Sequence, residues 1–363
     1  MATNGEIVIP KKYNAAVYDK PGTISTKLME LDTPEPGIGE VLIRLTHSGV
    51  CHSDQAIMCD LWPYFEKTKP NAVGGHEGVG EVVKLGPGND NSPVKIGQRV
   101  GIKFVRSICM SCSYCLEGDE SRCTNKTISG YLNPGTFQQY VVSPANYVSP
   151  IPDGLASDQA APMLCAGITV YTALRKTGAQ SGEWVAIVGA GGGLGHLGVQ
   201  LGSRGIAYRI IGIDHGSKKD LVIDSGAEEF IDFTKFDDAG IVAEVQRITG
   251  GGAKAAICVT GNNKAYAQAM SILKVGGTLV CVGMPEGEQK VLEGAFPAAF
   301  ILRGINITYA SVGTRKDAVE VLDFARRGIV KSHHELKKME DLTDVFQQMS
   351  EGKLQGRVVL DLQ

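Results

Sequence analysis

From Lys12 to about Tyr147 the apolar residues come in short, β-branched runs cut by Gly and Pro. Runs of that length between turn residues predict strands, at 14–18, 40–45, 80–85, 99–104 and 137–142. This part reads as a mostly-β domain, and its loops and strand ends are the natural places for a site. Around Ser157 the pattern changes. Ser157 is a plausible N-cap, and 160–174 is helix-forming except at Pro162 and Gly167. Those two residues predict a break or a pair of abutting helices, with Cys165 near the joint.

Beyond the joint, strand and helix alternate. A buried run at 184–188 feeds the glycine-rich turn Gly189-Ala190-Gly191-Gly192-Gly193-Leu194-Gly195. A helix is expected from about 197 to 204, then a strand from 208 that ends on Asp214. Further strands are expected at 230–232, 255–260 and 278–283, with helical stretches between them. Repeated β-then-α over this length predicts a doubly wound parallel sheet, so the fold class is α/β. Two more helices, at 316–327 and 342–351, and a strand at 356–360 complete the chain.

At 363 residues, two domains are expected. Thirty-nine acidic against 36 basic residues give a net charge of −3, which argues against nucleic acid or a membrane surface as partner. No apolar run reaches membrane-spanning length. The opening residues lack the basic start and apolar core of an export signal, so the cytosol is the expected compartment. There are nine cysteines, and four fall within fifteen positions. Without an export signal these read as reduced thiols holding metal, not as disulfides.

The candidate chemistry sits in three places. Cys51-His52-Ser53-Asp54 and Gly74-Gly75-His76-Glu77 each pair a zinc-type ligand with a neighbouring carboxylate able to orient an imidazole. A third ligand is needed for a catalytic zinc, and Cys165 is either that ligand or a core cysteine. Cys109, Cys112, Cys115 and Cys123 have the spacing C-x2-C-x2-C-x7-C, in a polar loop with little apolar surface to order it. Four thiolates could enclose one zinc there; an iron–sulfur cluster is the second possibility, although the bacterial ferredoxin run ends differently. The turn at Gly189, Gly191, Gly192, Gly193 and Leu194 has a strand before it, a helix after it and Asp214 nineteen positions past Gly195. That is the pattern of a dinucleotide site, one residue longer than the simplest form.

Taken together, these motifs resemble the zinc-dependent, medium-chain alcohol dehydrogenases, most of all their yeast-type fungal members. Leu164-Cys165-Ala166-Gly167-Ile168-Thr169-Val170-Tyr171, Gly212-Ile213-Asp214, Val282-Gly283-Met284-Pro285 and Gly356-Arg357-Val358-Val359 extend the likeness to the C-terminus. The resemblance implies a GroES-like catalytic domain (1–166 and 313–363) interrupted by a Rossmann dinucleotide-binding domain (167–312). It implies two Zn2+ per subunit, the catalytic one on Cys51, His76 and Cys165 and the structural one on Cys109, Cys112, Cys115 and Cys123. NAD would meet His52, Thr169, the glycine-rich turn, Asp214, Lys219, Val282, Met284 and Arg357. Ser53 would take the substrate proton, with Asp54 and Glu77 supporting the metal. Trp62 and Phe104 would line the pocket of a small alcohol or aldehyde, and the subunits would form a homotetramer.

Three positions depart from the family pattern. Ala56 stands where many members carry the last histidine of a proton relay, so water is expected to finish the relay, with His47 as an alternative. Phe104 replaces a tryptophan and should widen the pocket, which favours larger aromatic or secondary-metabolite alcohols and aldehydes as a second reading. Gln98 replaces an acid, with no functional account. A non-catalytic dinucleotide-binding protein is a third reading, and it predicts the loss of a catalytic ligand. Cys51, His76 and Cys165 are all present.

Overall fold

The computed structural model describes residues 8–286 and 290–363. The chain divides into two compact units, one of 1–165, 335–353 and 358–363, the other of 166–334 and 354–357. Residues 313–334, grouped with the C-terminal tail in the sequence reading, pack with the second unit. There helix Arg315–Arg326 is tied to helix Ile168–Arg175 by an Arg175–Asp317 ion pair of 2.6 Å and a Tyr171–Glu320 hydrogen bond of 2.8 Å.

The first unit is mostly β. Its central strand, Glu40–Val50, pairs antiparallel with Gly78–Leu85, with Tyr140–Pro144 and with Arg357–Asp361 near the C-terminus. The strand therefore has neighbours on both sides and ends at Val50, directly before Cys51. The expected strand at 99–104 stops at Ile102, and the one at 137–142 starts only at Tyr140. Phe137 is instead a fully buried ring against Phe346. A short helix, His52–Met58, had no counterpart in the sequence reading.

The second unit holds the parallel sheet. Its six strands run in the order Glu229–Asp232, Arg209–Asp214, Trp184–Val188, Ala253–Cys258, Leu273–Cys281 and Asn306–Tyr309, all parallel. Strand order reverses at Trp184–Val188, and the crevice beyond its carboxyl end is where such sheets bind ligands. Buried Val, Ile, Ala and Leu from the sheet and its helices form the core. The near-continuous apolar strands follow from helices covering both faces.

The helical joint is as expected. Ser157–Pro162 and Ile168–Arg175 flank a single π-helical turn, Met163–Gly167, with Cys165 at its middle. Such turns displace a side chain from the regular helical spacing. Ser157 is not the cap, however: Ala156 takes that position, and the Ser157 hydroxyl accepts from Arg99 at 3.2 Å.

Candidate active site

Cys51 lies at the junction of strand Glu40–Val50 and helix His52–Met58, as the residue capping that helix. Its backbone N–H donates to Asp54 Oδ2 at 3.0 Å, and Asp54 Oδ1 lies 2.8 Å from Nδ1 of His76. One buried carboxylate thus fixes both the backbone that carries one ligand and the ring that carries another. Asp54 is held in turn from behind, because the buried Tyr18 hydroxyl donates to its carbonyl at 3.2 Å. With Nδ1 committed to Asp54, Nε2 of His76 faces Sγ of Cys165 at 3.2 Å. Ligand atoms of Cys51, His76, Glu77 and Cys165 lie within 4.8 Å of one another, and all four residues are buried.

This donor set fits zinc. Two sulfurs and one imidazole suit a borderline-soft dication, and a carboxylate behind the imidazole is the usual orienting partner. Burial opposes a charge on His76, but the Asp54 carboxylate and the Cys51 sulfur outweigh it and hold the pKa well above the ordinary value. The site therefore favours positive charge, and a cation entering it takes the place of that proton. Glu77 Oε1 lies 4.0 Å from Nε2 of His76, beyond hydrogen-bond reach but among the clustered ligand atoms.

The four clustered cysteines also meet, around the short helix Ser113–Leu116 and within 4.8 Å. Sulfur–sulfur separations are 3.6 Å for Cys109 and Cys123, 3.5 Å for Cys112 and Cys115, and 4.0 Å for Cys109 and Cys115. A tetrahedron with 2.3 Å zinc–sulfur bonds has edges of about 3.8 Å, whereas a disulfide would need about 2.05 Å. None of the nine cysteines is in a disulfide. Backbone N–H groups of Ser111 and Cys112 pull the Cys109 thiol down to about 6, while burial and its sulfur neighbours push Cys115 up to about 12. Four thiolates so close need a cation between them.

Around the first cluster, Phe104 sets its ring edge-on to His76 at 5.0 Å and so packs against that imidazole. Trp62 packs on Phe65, and Phe65 on Tyr131. Under that stack Ala56 is fully buried and lines a cavity of about 10 Å³. Such a volume holds one water at most, which is the room there for the water expected to finish the relay. His52 is exposed and Ser53 half-buried at the start of the helix. His47 lies earlier on the strand, opposite Val79 and Asp361. Gln98 has a local task, its side-chain oxygen accepting from Lys95 N–H at 3.1 Å.

In the second unit the glycines can be told apart. Gly189 has φ +91°, the left-handed conformation that turns the chain off the strand. At Gly193 a Cβ would come within 2.8 Å of the Arg357 side chain, so only glycine lets that arginine lie on the turn. Asp214 accepts from Gly191 N–H at 2.8 Å and from His215 N–H at 2.7 Å, which places its carboxylate at the turn's mouth. Lys218 reaches within 3.9 Å of Asp214, while Lys219 is exposed at the head of helix Lys219–Asp224. Thr169 is buried on Ile168–Arg175; Val282 N–H donates to the Cys258 carbonyl, and Met284 is exposed. Sequence reasoning missed the part of Tyr18, because it does not follow from local spacing.

Known proteins agree with this geometry. Residues 37–153 match the alcohol dehydrogenase GroES-like domain, and residues 193–327 match the zinc-binding dehydrogenase family. Alcohol dehydrogenase 2 of Emericella nidulans is 54% identical over 98% of both chains. An alcohol dehydrogenase of Schizosaccharomyces pombe is 40% identical over 98% of this chain and 99% of its own. Among solved structures, an acetophenone reductase from Geotrichum candidum in complex with NAD superposes with a TM-score of 0.84, at 27% identity and 98% coverage of both chains. Two ligand clusters, a dinucleotide-type sheet and these near-full-length likenesses place the chain in the zinc-dependent, medium-chain alcohol dehydrogenase family, among its fungal members.

Proposed function

We propose that the protein interconverts primary alcohols and aldehydes with NAD, the first unit serving as the catalytic domain and the second as the dinucleotide-binding domain. Cys51, His76 and Cys165 would hold a catalytic zinc, and Cys109, Cys112, Cys115 and Cys123 a structural one. When bound, the catalytic ion would supply Lewis acidity that makes a hydroxyl a stronger acid, and NAD would supply a hydride acceptor. The chain's own part is to prepare for both. Asp54 keeps the His76 ring in one tautomer with Nε2 turned to the sulfurs. Burial of the ligands excludes water and strengthens every charge interaction among them. Ser53 takes the hydroxyl proton and passes it on. His52 and Arg357 meet the pyrophosphate, Asp214 and Lys219 the adenosine ribose, Thr169, Val282 and Met284 the nicotinamide side, and Trp62 the substrate.

The observation that carries this reading is the convergence of Cys51, His76 and Cys165 on one point. The test is an assay of zinc-loaded enzyme with NAD and a panel of primary, aromatic and secondary alcohols. Turnover of none of them would remove the reading. A second reading, reduction of larger aromatic carbonyls, is favoured by Phe104, and the same panel run in reverse tests it. A homotetramer in the cytosol completes the proposal; sedimentation velocity checks the first part. None of the described helices is long and apolar enough to cross a membrane.

A further inference from the structure

One buried histidine ties the glycine-rich turn to a distant segment of its own unit. His196 is the second residue of helix Gly195–Gln200 and is fully buried. Both ring nitrogens are engaged. Nδ1 lies 2.9 Å from the carbonyl oxygen of Gly192, and the backbone N–H of His333 points at Nε2 from 3.1 Å. A carbonyl can only accept and a backbone N–H can only donate, so Nδ1 carries the proton and Nε2 is bare. The ring is neutral and locked in one tautomer. Burial agrees, pushing its pKa down to about 4, with Arg357, His333 and His334 acting in the same direction.

One turn further along the helix, Gln200 makes a parallel tie. Its Nε2 donates to the Lys331 carbonyl at 2.9 Å, and its Oε1 accepts from Lys331 N–H at 2.9 Å. The clasped segment then holds Arg357, whose backbone N–H donates to the His333 carbonyl at 2.9 Å. The Arg357 side chain lies back on Gly193, the residue after Gly192.

We infer that His196 is a positioning residue for the cofactor: as the neutral tautomer it holds the His333 peptide, and through it Arg357, against the turn that receives the pyrophosphate. The inference rests on the reading of Arg357 as a pyrophosphate contact. Replacing the ring by a group that cannot accept from His333 takes the acceptor from a part-buried N–H, and the segment moves to recover a partner. Arg357 would move with it.

The test uses full-length, zinc-loaded enzyme, with NADH affinity read by fluorescence titration and inhibition constants for ADP-ribose and adenosine. His196→Asn keeps a donor near Gly192 but is too short to meet the His333 N–H. It is expected to weaken NADH and ADP-ribose by about tenfold and to leave adenosine, which has no phosphate, unchanged. KM for NAD should rise more than kcat falls. His196→Gln, whose amide oxygen can reach His333, should restore affinity to within about threefold of wild type. Because His196 acts through Arg357, adding His196→Asn to Arg357→Ala should cost less than about twofold more. Wild-type NADH affinity in His196→Asn, an equal loss for adenosine, or full additivity in the double variant would each overturn the inference. If His196→Asn does not fold, Gln200→Met cuts the parallel tie and enters the same cycle with the same expectations. Arg357→Ala binding NADH as tightly as wild type would instead overturn the reading of Arg357, and this inference with it.

Discussion

At the scale of single residues, Cys165 and Asp214 carry the sharpest consequences. Cys165 sits in a π turn between two helices that do not need its sulfur, so Cys165→Ala should fold as wild type does. It should carry one zinc per subunit in place of two and show no measurable turnover. Two zincs by metal analysis in that variant would remove Cys165 from the ligand set. On the proposed reading the Asp214 carboxylate accepts from a ribose 2′-hydroxyl, and like charge repels a 2′-phosphate. NAD should therefore be preferred strongly over NADP, and Asp214→Gly should narrow the gap. The structure adds a cost: removing Asp214 also strips Gly191 N–H of its acceptor, so the variant should bind NAD less well too. Equal kcat/KM for both cofactors in the wild type would refute the assignment. The residue types at both positions were readable in the sequence. That His76 needs Asp54, and Asp54 needs Tyr18, was not, because those contacts join residues on separate elements.

At the scale of elements, the four-cysteine lobe and helix His52–Met58 behave differently. The lobe around Ser113–Leu116 has no fully buried residue in its helix, so metal binding must supply much of its ordering energy. Cys112→Ser should lose the structural zinc and open 108–125 to proteases, read by limited proteolysis with mass spectrometry. A variant with unchanged zinc content and cleavage pattern would show that the thiols do not hold metal. Helix His52–Met58 buries its face from Asp54 to Met58, and its length of seven residues explains why no period betrayed it. Ala56 on that face has about one water's space beside it. Ala56→His is thus expected to overpack the Trp62 stack, at a cost of about 1–3 kcal/mol in stability. Thermal unfolding checks this. If the variant is as stable as wild type and oxidises alcohols faster at pH 7 than wild type does, the Trp62 stack opens to admit an imidazole and Ala56 is a gap in the relay after all.

At the scale of the whole molecule, the second unit has its own apolar core, so a ligand bound there should stabilise it by linkage. Saturation at one hundred times Kd adds about 2.7 kcal/mol, and calorimetry with and without NADH should show the unfolding transition of that unit rising. An unmoved transition at saturating NADH would mean that the cofactor does not bind the described fold. The sequence by itself determined the alternation that makes a parallel sheet, the turn at Gly189, the metal-type spacing of four cysteines and the break around Cys165. Each of these is local: a period, a turn residue or a short spacing acts within a few residues. The tertiary structure alone decided that Cys51, His76 and Cys165 meet, that Asp54 faces His76, that Ala56 is closed in, and that His196 reaches across to His333. Those are pairings between residues as many as 137 positions apart, set to within an ångström or less by sheet register and side-chain packing. Local sequence carries no record of such distances, because they exist only once the strands have found their partners.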